Sequence, residues 1–177
     1  SSYIDIMLMF RMSKKPFVFV GKKELTKIPF FGYLYKRAAI TVDRSSFQSR
    51  KEVYKNAIPF INKGYSICVF PEREYLDETI LLNQFKRGAF KIAVEHKLPI
   101  LPIVFLDCKR KFPWYTTHGF PGQLRAKSLD IIYTNAMDEK NINQLTKIMY
   151  KNISKELMHD PQQNAVKAIL VWKKITS

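Results

Sequence analysis

Short apolar runs that alternate with stretches of helical periodicity predict an α/β protein, a mixed central sheet flanked by helices. Three stretches carry this expectation. Ile67 to Phe70 are four consecutive apolar residues, enough for a strand buried on both faces, and Pro71 then ends the ladder because it has no N–H to donate. Ser46 to Lys63 sets Val53, Ala57, Phe60 and Ile61 at helical spacing, and Gly64 follows as a natural C-cap. Leu98 to Phe105 is another buried strand, with Pro99 and Pro102 pointing to an edge or an irregular start.

The remaining elements follow in order. Ser1 to Lys15 reads as a short helix with Ser2 as N-cap and Asp5 three residues on, a weaker relative of the capping box, and it stops before Pro16. Phe17 to Val20 is a strand, and Gly21 opens a polar turn. Ile28 to Arg37 interleaves aromatic and cationic residues as a short helix or turn, and Ala38 to Val42 is a strand ending at Asp43 and Arg44. Phe85 to His96 is a helix with Phe85, Ala89, Ile92 and Ala93 on one face. Lys109 to Gly122 reads as a loop, Ser128 to Tyr133 as a last strand and Ile142 to Leu157 as a last long helix. The whole is one domain over residues 1–160 with a basic, apolar tail over 161–177.

Composition narrows the function. An apolar fraction of 46% over 177 residues suits a globular protein with a real core and argues against disorder. Thirty Lys and Arg against fifteen Asp and Glu give a net charge of +15, which calls for an anionic partner: nucleic acid, phosphate-bearing metabolites or an anionic membrane. No nucleic-acid-binding motif is present, so nucleic acid ranks last. Cys68 and Cys108 lack metal-ligand spacing and make no disulfide framework, which fits a reducing, cytosol-facing environment. No apolar run reaches the roughly 18–20 residues that span a bilayer. The chain opens on Ser1 and not Met, so the expectation is a fragment, with any anchor upstream.

Glu72 is the first candidate site residue, since ligands of open α/β sheets sit outside the carboxyl ends of the strands and Pro71 releases Glu72 there. An ordinary surface Glu after a strand is the alternative. Four stretches, taken together, resemble the 1-acyl-glycerol-3-phosphate acyltransferases, the lysophosphatidate acyltransferases. Ser2-Tyr-Ile-Asp5 looks like the second half of that family's Asn-His-x-Ser-x-x-Asp block, whose His would directly precede Ser1. Ala38 to Arg44 resembles the block that ends Asp-Arg, Phe70-Pro71-Glu72 the Phe-Pro-Glu-Gly-Thr-Arg block, and Pro99 to Val104 the proline-containing strand. Phe85 to Ala93 is similar to the helix after the third block.

The resemblance implies a glycerolipid-acyltransferase-like fold. It also implies transfer of a fatty acyl chain from acyl-CoA or acyl-carrier protein to a lysophospholipid acid, giving phosphatidate in phospholipid synthesis, with no metal and no cofactor. Acyl transfer to a hydroxyl needs a base near neutrality, for which imidazole is suited, and a carboxylate to hold that imidazole. The resemblance gives the second role to Asp5 and counts Glu72 with it, while plain helix capping by Asp5 stays open beside this role. Phosphate on the acceptor asks for cations: Arg44 first, with Arg73, Lys86 or Arg87 standing in for the family Arg that Arg73-Glu74-Tyr75 lacks. His96, His118 and His159 have no suitable spacing to an Asp and read as surface or packing residues.

The lipid acceptor implies the cytoplasmic face of a membrane, peripheral or anchored by an upstream segment. Phe30, Phe31, Lys36, Arg37 and Trp114 are the candidate membrane-facing residues, and Lys109, Arg110 and Lys111 extend the patch around Trp114. The rival is a catalytically silent, basic lipid-binding module on the same fold.

Overall fold

The computed structural model describes residues 4–22, 26, 31–42, 47–72, 80–112 and 119–162. The chain divides into two compact units, one made of residues 1–9 and 71–177 and the other of residues 10–70, where the sequence suggests one domain. It crosses between them inside helix α1, Ile4–Met12, and again between Phe70 and Pro71.

The 10–70 unit is built on a parallel three-stranded sheet. Strand β1, Phe17–Lys22, lies between β2, Ala39–Val42, and β3, Ser66–Val69. Phe19 is level with Ala39 on one side and with Cys68 on the other. Helices α2, Phe31–Ala38, and α3, Phe47–Asn62, make the crossovers that parallel pairing requires, and α3 packs over β2 and β3. Val18, Phe19, Tyr35, Ile40, Val42, Val53 and Ala57 are its core. Phe17 and Phe19 share one face of β1, as alternation demands, and meet edge-on with centroids 4.9 Å apart.

Two expectations change here. Gly21 does not open a turn but continues β1, because the Tyr35 hydroxyl occupies the place a Cβ would take, so the strand passes the ring only as glycine. Among the described residues β3 is an edge strand, and its residues are half-exposed rather than buried on both faces. The end of α3 is as the sequence predicts. Gly64 takes φ +78, its N–H reaches Ile61 O at 2.9 Å, and the Tyr65 N–H reaches Phe60 O at 3.0 Å. These bonds close a Schellman cap, and the Phe60 and Tyr65 rings pack 5.9 Å apart across it.

The second unit holds α4, Gly88–Glu95, and the long α6, Ile142–His159, against an antiparallel ladder of β4, Ile103–Phe105, with β5, Ala126–Ser128. A 3-10 turn over Glu139–Asn141 leads into α6, and Asp138 and Asn141 cap it reciprocally. Phe90 and Val94 of α4 pack on Ile142, Leu145 and Met149 of α6, while Leu157 meets Val104 and Leu82. The predicted 98–105 and 128–133 strands shrink to β4, β5 and one isolated bridge, Ile100 to Ile132. Pro99 and Pro102 explain this, since each removes a donor from the ladder. Helix α4 starts at Gly88, not Phe85, and the expected loop begins with a four-residue helix, α5, Cys108–Lys111. Parallel and antiparallel pairs both occur, as a mixed sheet asks, in separate ladders among the described residues.

Candidate active site

Asp5 sits in the first turn of α1 and is only 5% exposed. A buried carboxylate needs partners, because losing its hydration without them is costly. Cys108, at the start of α5 and 2% exposed, lies near enough for the Asp5 charge to act on its thiol. Burial and then the Asp5 charge push the Cys108 thiol far up, so it keeps its proton at neutral pH.

Behind Cys108 stands a charge cluster that sequence reasoning missed. Asp107, just before α5, is fully buried. Arg125, immediately before β5, grips it with Nε and Nη2, each 2.8 Å from a carboxylate oxygen, while its backbone N–H donates at 2.7 Å. The same guanidinium reaches Asp160, past the end of α6, with Nη1 at 2.9 Å and Nη2 at 2.8 Å. Arg110 adds a bond to Asp107 at 2.6 Å. Burial alone would raise Asp107, but the hydrogen bonds from Arg125 and Arg110 outweigh it and bring the carboxyl down to about 2. One signal was available: Asp107 follows a strand much as Glu72 does. Arg110 is three positions on from Asp107, but Arg125 lies 18 positions beyond Asp107 and Asp160 a further 35 beyond Arg125, so these two contacts leave no local pattern.

Glu72 lies beyond β3 in an isolated antiparallel bridge with Phe85. Its carboxylate accepts the Asn83 N–H at 3.4 Å, and the Lys86 N–H donates to Pro71 O at 2.8 Å. Lys86 and Arg87 therefore follow directly on the residue paired with Glu72. Both are exposed, and the Arg87 guanidinium donates to Asn143 of α6 at 3.1 Å. Asp5, Glu72, Lys86 and Arg87 thus belong to one compact unit.

Arg44, Arg73, Phe30 and Trp114 lie outside the described residues, as does His118. Phe31, Lys36 and Arg37 fall on α2, with their side chains outside the description. In the stretch before Trp114, Lys109 donates to Ile80 O, Arg110 to Asp107 and Gln162, and Lys111 to Pro121 O. His159 contacts Lys155 O on its own helix, and His96 closes α4, consistent with surface and packing roles. Among the described residues no group of three or more His, Cys, Asp or Glu is arranged to hold a metal ion.

Comparison with known proteins decides the family, since the Acyltransferase family model matches residues 1–106. The chain belongs to the Acyltransferase family. This acyltransferase chain is 30% identical over 155 residues to a 1-acyl-sn-glycerol-3-phosphate acyltransferase of Cocos nucifera, covering 85% of the chain and 49% of that protein. With the enzyme of that name from Saccharomyces cerevisiae it shares 32% over 107 residues, 58% of the chain and 35% of the relative. The chain thus spans about half or less of the length of these relatives. Its fold resembles the crystal structure of the 1-acyl-sn-glycerophosphate acyltransferase PlsC from Thermotoga maritima, with a TM-score of 0.67 at 19% identity, covering 89% of the chain and 63% of PlsC. The α/β, acyltransferase-like expectation and the family resemblance both hold.

Proposed function

We propose that this chain carries the acyl-transfer site of a 1-acylglycerol-3-phosphate O-acyltransferase, working at a membrane surface with acyl-CoA or acyl-carrier protein as donor. The observation that carries this reading is the Asp5 carboxylate, buried in the first turn of α1 at the place where the family block has its aspartate. In the proposed reaction an imidazole held by Asp5, from the block's His ahead of Ser1, takes the acceptor hydroxyl proton as that oxygen attacks the thioester carbonyl. Collapse of the tetrahedral adduct expels the thiolate, which recovers the proton from the imidazolium. Asp5 fixes the tautomer and stabilises the charged ring in between.

Arg44, Arg73, Lys86 and Arg87 are the proposed phosphate ligands, and Glu72 the carboxylate that orders them. Lys86 and Arg87 suit this role, being exposed and next to the Glu72 bridge. The named relatives are enzymes, which weighs against a silent lipid-binding module. The membrane surface is proposed from the acceptor's chemistry and the +15 charge. Among the described residues no helix is long and apolar enough to cross a membrane.

Acyl transfer to 1-acylglycerol-3-phosphate by the full-length protein tests the reading. Asp5→Asn should lower kcat by roughly 100- to 10,000-fold with the fold kept. A wild-type protein with no transfer from either donor, or an Asp5→Asn variant with full kcat, overturns it.

A further inference from the structure

The segment over 80–87, which carries Lys86 and Arg87 past Glu72, is held at two points by one helix. Near its start, the Tyr150 hydroxyl of α6 donates to Leu82 O at 3.2 Å, and the Tyr150 ring meets Phe85 edge-on with centroids 5.5 Å apart. These are the residues on either side of the Glu72 contacts. Asn83, next after Leu82, gives its backbone N–H to the Glu72 carboxylate, Phe85 is the residue bridged to Glu72, and the Lys86 N–H reaches Pro71 O at 2.8 Å. At the far end, Arg87 Nη1 donates to Asn143 Oδ1 at 3.1 Å, and Asn143 also belongs to α6. Asn143 and Tyr150 are two helical turns apart, so they share one stripe of α6. Beside that stripe Ile142, Leu145 and Met149 are buried against Phe90 and Val94, which fixes α6 without help from the segment it holds.

We propose that Asn143 and Tyr150 are positioning residues for the acceptor's phosphate: from α6 they set where Lys86 and Arg87 stand beside Glu72. The inference rests on the acyltransferase reading, which makes those cations phosphate ligands. Each residue type suits its task. A tyrosine hydroxyl on a carbonyl fixes the segment without adding charge, and the packing of its ring on Phe85 holds the hydroxyl in place. Asn143 offers a neutral amide oxygen, which aims the guanidinium but leaves its charge uncancelled and its other N–H groups for phosphate oxygens. A carboxylate at that position would aim Arg87 equally well and compete with the phosphate for it. Because both contacts come from a helix packed in the core, they hold the segment more rigidly than loop residues would.

Tyr150→Phe tests the hydroxyl, since it keeps the ring on Phe85. In the full-length enzyme it should raise the acceptor KM roughly three- to tenfold at nearly unchanged kcat, the effect of losing one hydrogen bond that acts through phosphate binding. Asn143→Ala, at an exposed position that tolerates change, should raise the same KM about two- to fivefold, and Asn143→Asp should raise it at least as much although it keeps an acceptor for Arg87. A merely structural role would lower the amount of folded enzyme, and so the apparent kcat, and leave KM alone. Amide hydrogen exchange, read by mass spectrometry, supplies a readout apart from turnover: in Tyr150→Phe, peptides spanning residues 80–87 should exchange faster while those of α4 keep their protection. Wild-type acceptor KM in all three variants of an active enzyme overturns the proposal and leaves the acyltransferase reading standing. Unchanged exchange over 80–87 in Tyr150→Phe overturns it as well, because the hydroxyl then holds nothing in place. A full-length wild-type protein that transfers no acyl group from either donor removes the acyltransferase reading, and the proposal with it, whatever the exchange shows.

Discussion

Arg125 holds two carboxylates at once, so its removal takes from Asp160 the guanidinium that grips it and leaves Asp107 with Arg110. Asp107 is fully buried and Asp160 is 6% exposed, while the Arg125 side chain keeps 30% of its surface. Breaking such a cluster from the cationic side costs about 3–5 kcal/mol, because each carboxylate keeps its desolvation penalty without the Arg125 attraction that helped offset it. Arg125→Met should therefore lower the unfolding free energy of the second unit, read by urea titration, by that amount, and a loss under about 1 kcal/mol would show that water reaches the pair. Acid should do the same. Asp107 is depressed from 3.8 to about 2, so its contribution is complete above pH 3.8 and is lost as pH falls through about 2. The amount is on the order of 2 kcal/mol. Asp107→Asn should flatten the stability profile between those pH values, and an unchanged slope would assign the acid loss to other carboxylates.

The end of α3 offers the cleanest backbone test. Gly64 sits at φ +78 with open space where a Cβ would go, so Gly64→Ala changes nothing but the conformational cost. A left-handed alanine costs roughly 1–2 kcal/mol, and thermal or urea unfolding of the 10–70 unit should show that loss. No change would mean the Schellman cap relaxes. Such features are legible in a sequence because their causes are local: apolar spacing marks α3 and α6, and a glycine marks where α3 stops. What escaped reading has long-range causes. Gly21 looks like a turn until Tyr35 of α2 lies against it. Phe85 fits the helical pattern of α4, but its backbone pairs with Glu72 instead. Asp5 was legible through its block, whereas the cluster of Asp107, Arg125 and Asp160 joins three separate segments, and no window of sequence contains it.

For the molecule as a whole, an excess of fifteen positive charges has to be reconciled with cations that the fold has already engaged. Arg125, Arg110 and Lys127 pair with carboxylates within the chain, so part of the positive charge is offset locally, while Lys109 and Lys111 bond to neutral carbonyls and keep theirs. The Lys27 to Arg37 segment, with Phe30, Phe31, Lys36 and Arg37, is the part of the proposed membrane surface that joins cations to the most aromatic residues. Aromatic rings favour the headgroup level, and each Lys or Arg near an anionic leaflet adds about 1 kcal/mol, screened over about 10 Å at 0.1 M salt. Co-sedimentation with liposomes should accordingly appear with anionic lipid, weaken as salt rises, and fall in a Phe30→Ser, Phe31→Ser double variant that keeps its fold. The direction of each change separates the contributions: salt removes the charge attraction, and the double variant removes ring insertion. Equal binding to neutral and anionic vesicles would sink the electrostatic account, and full binding by the double variant would move the contact away from residues 30 and 31.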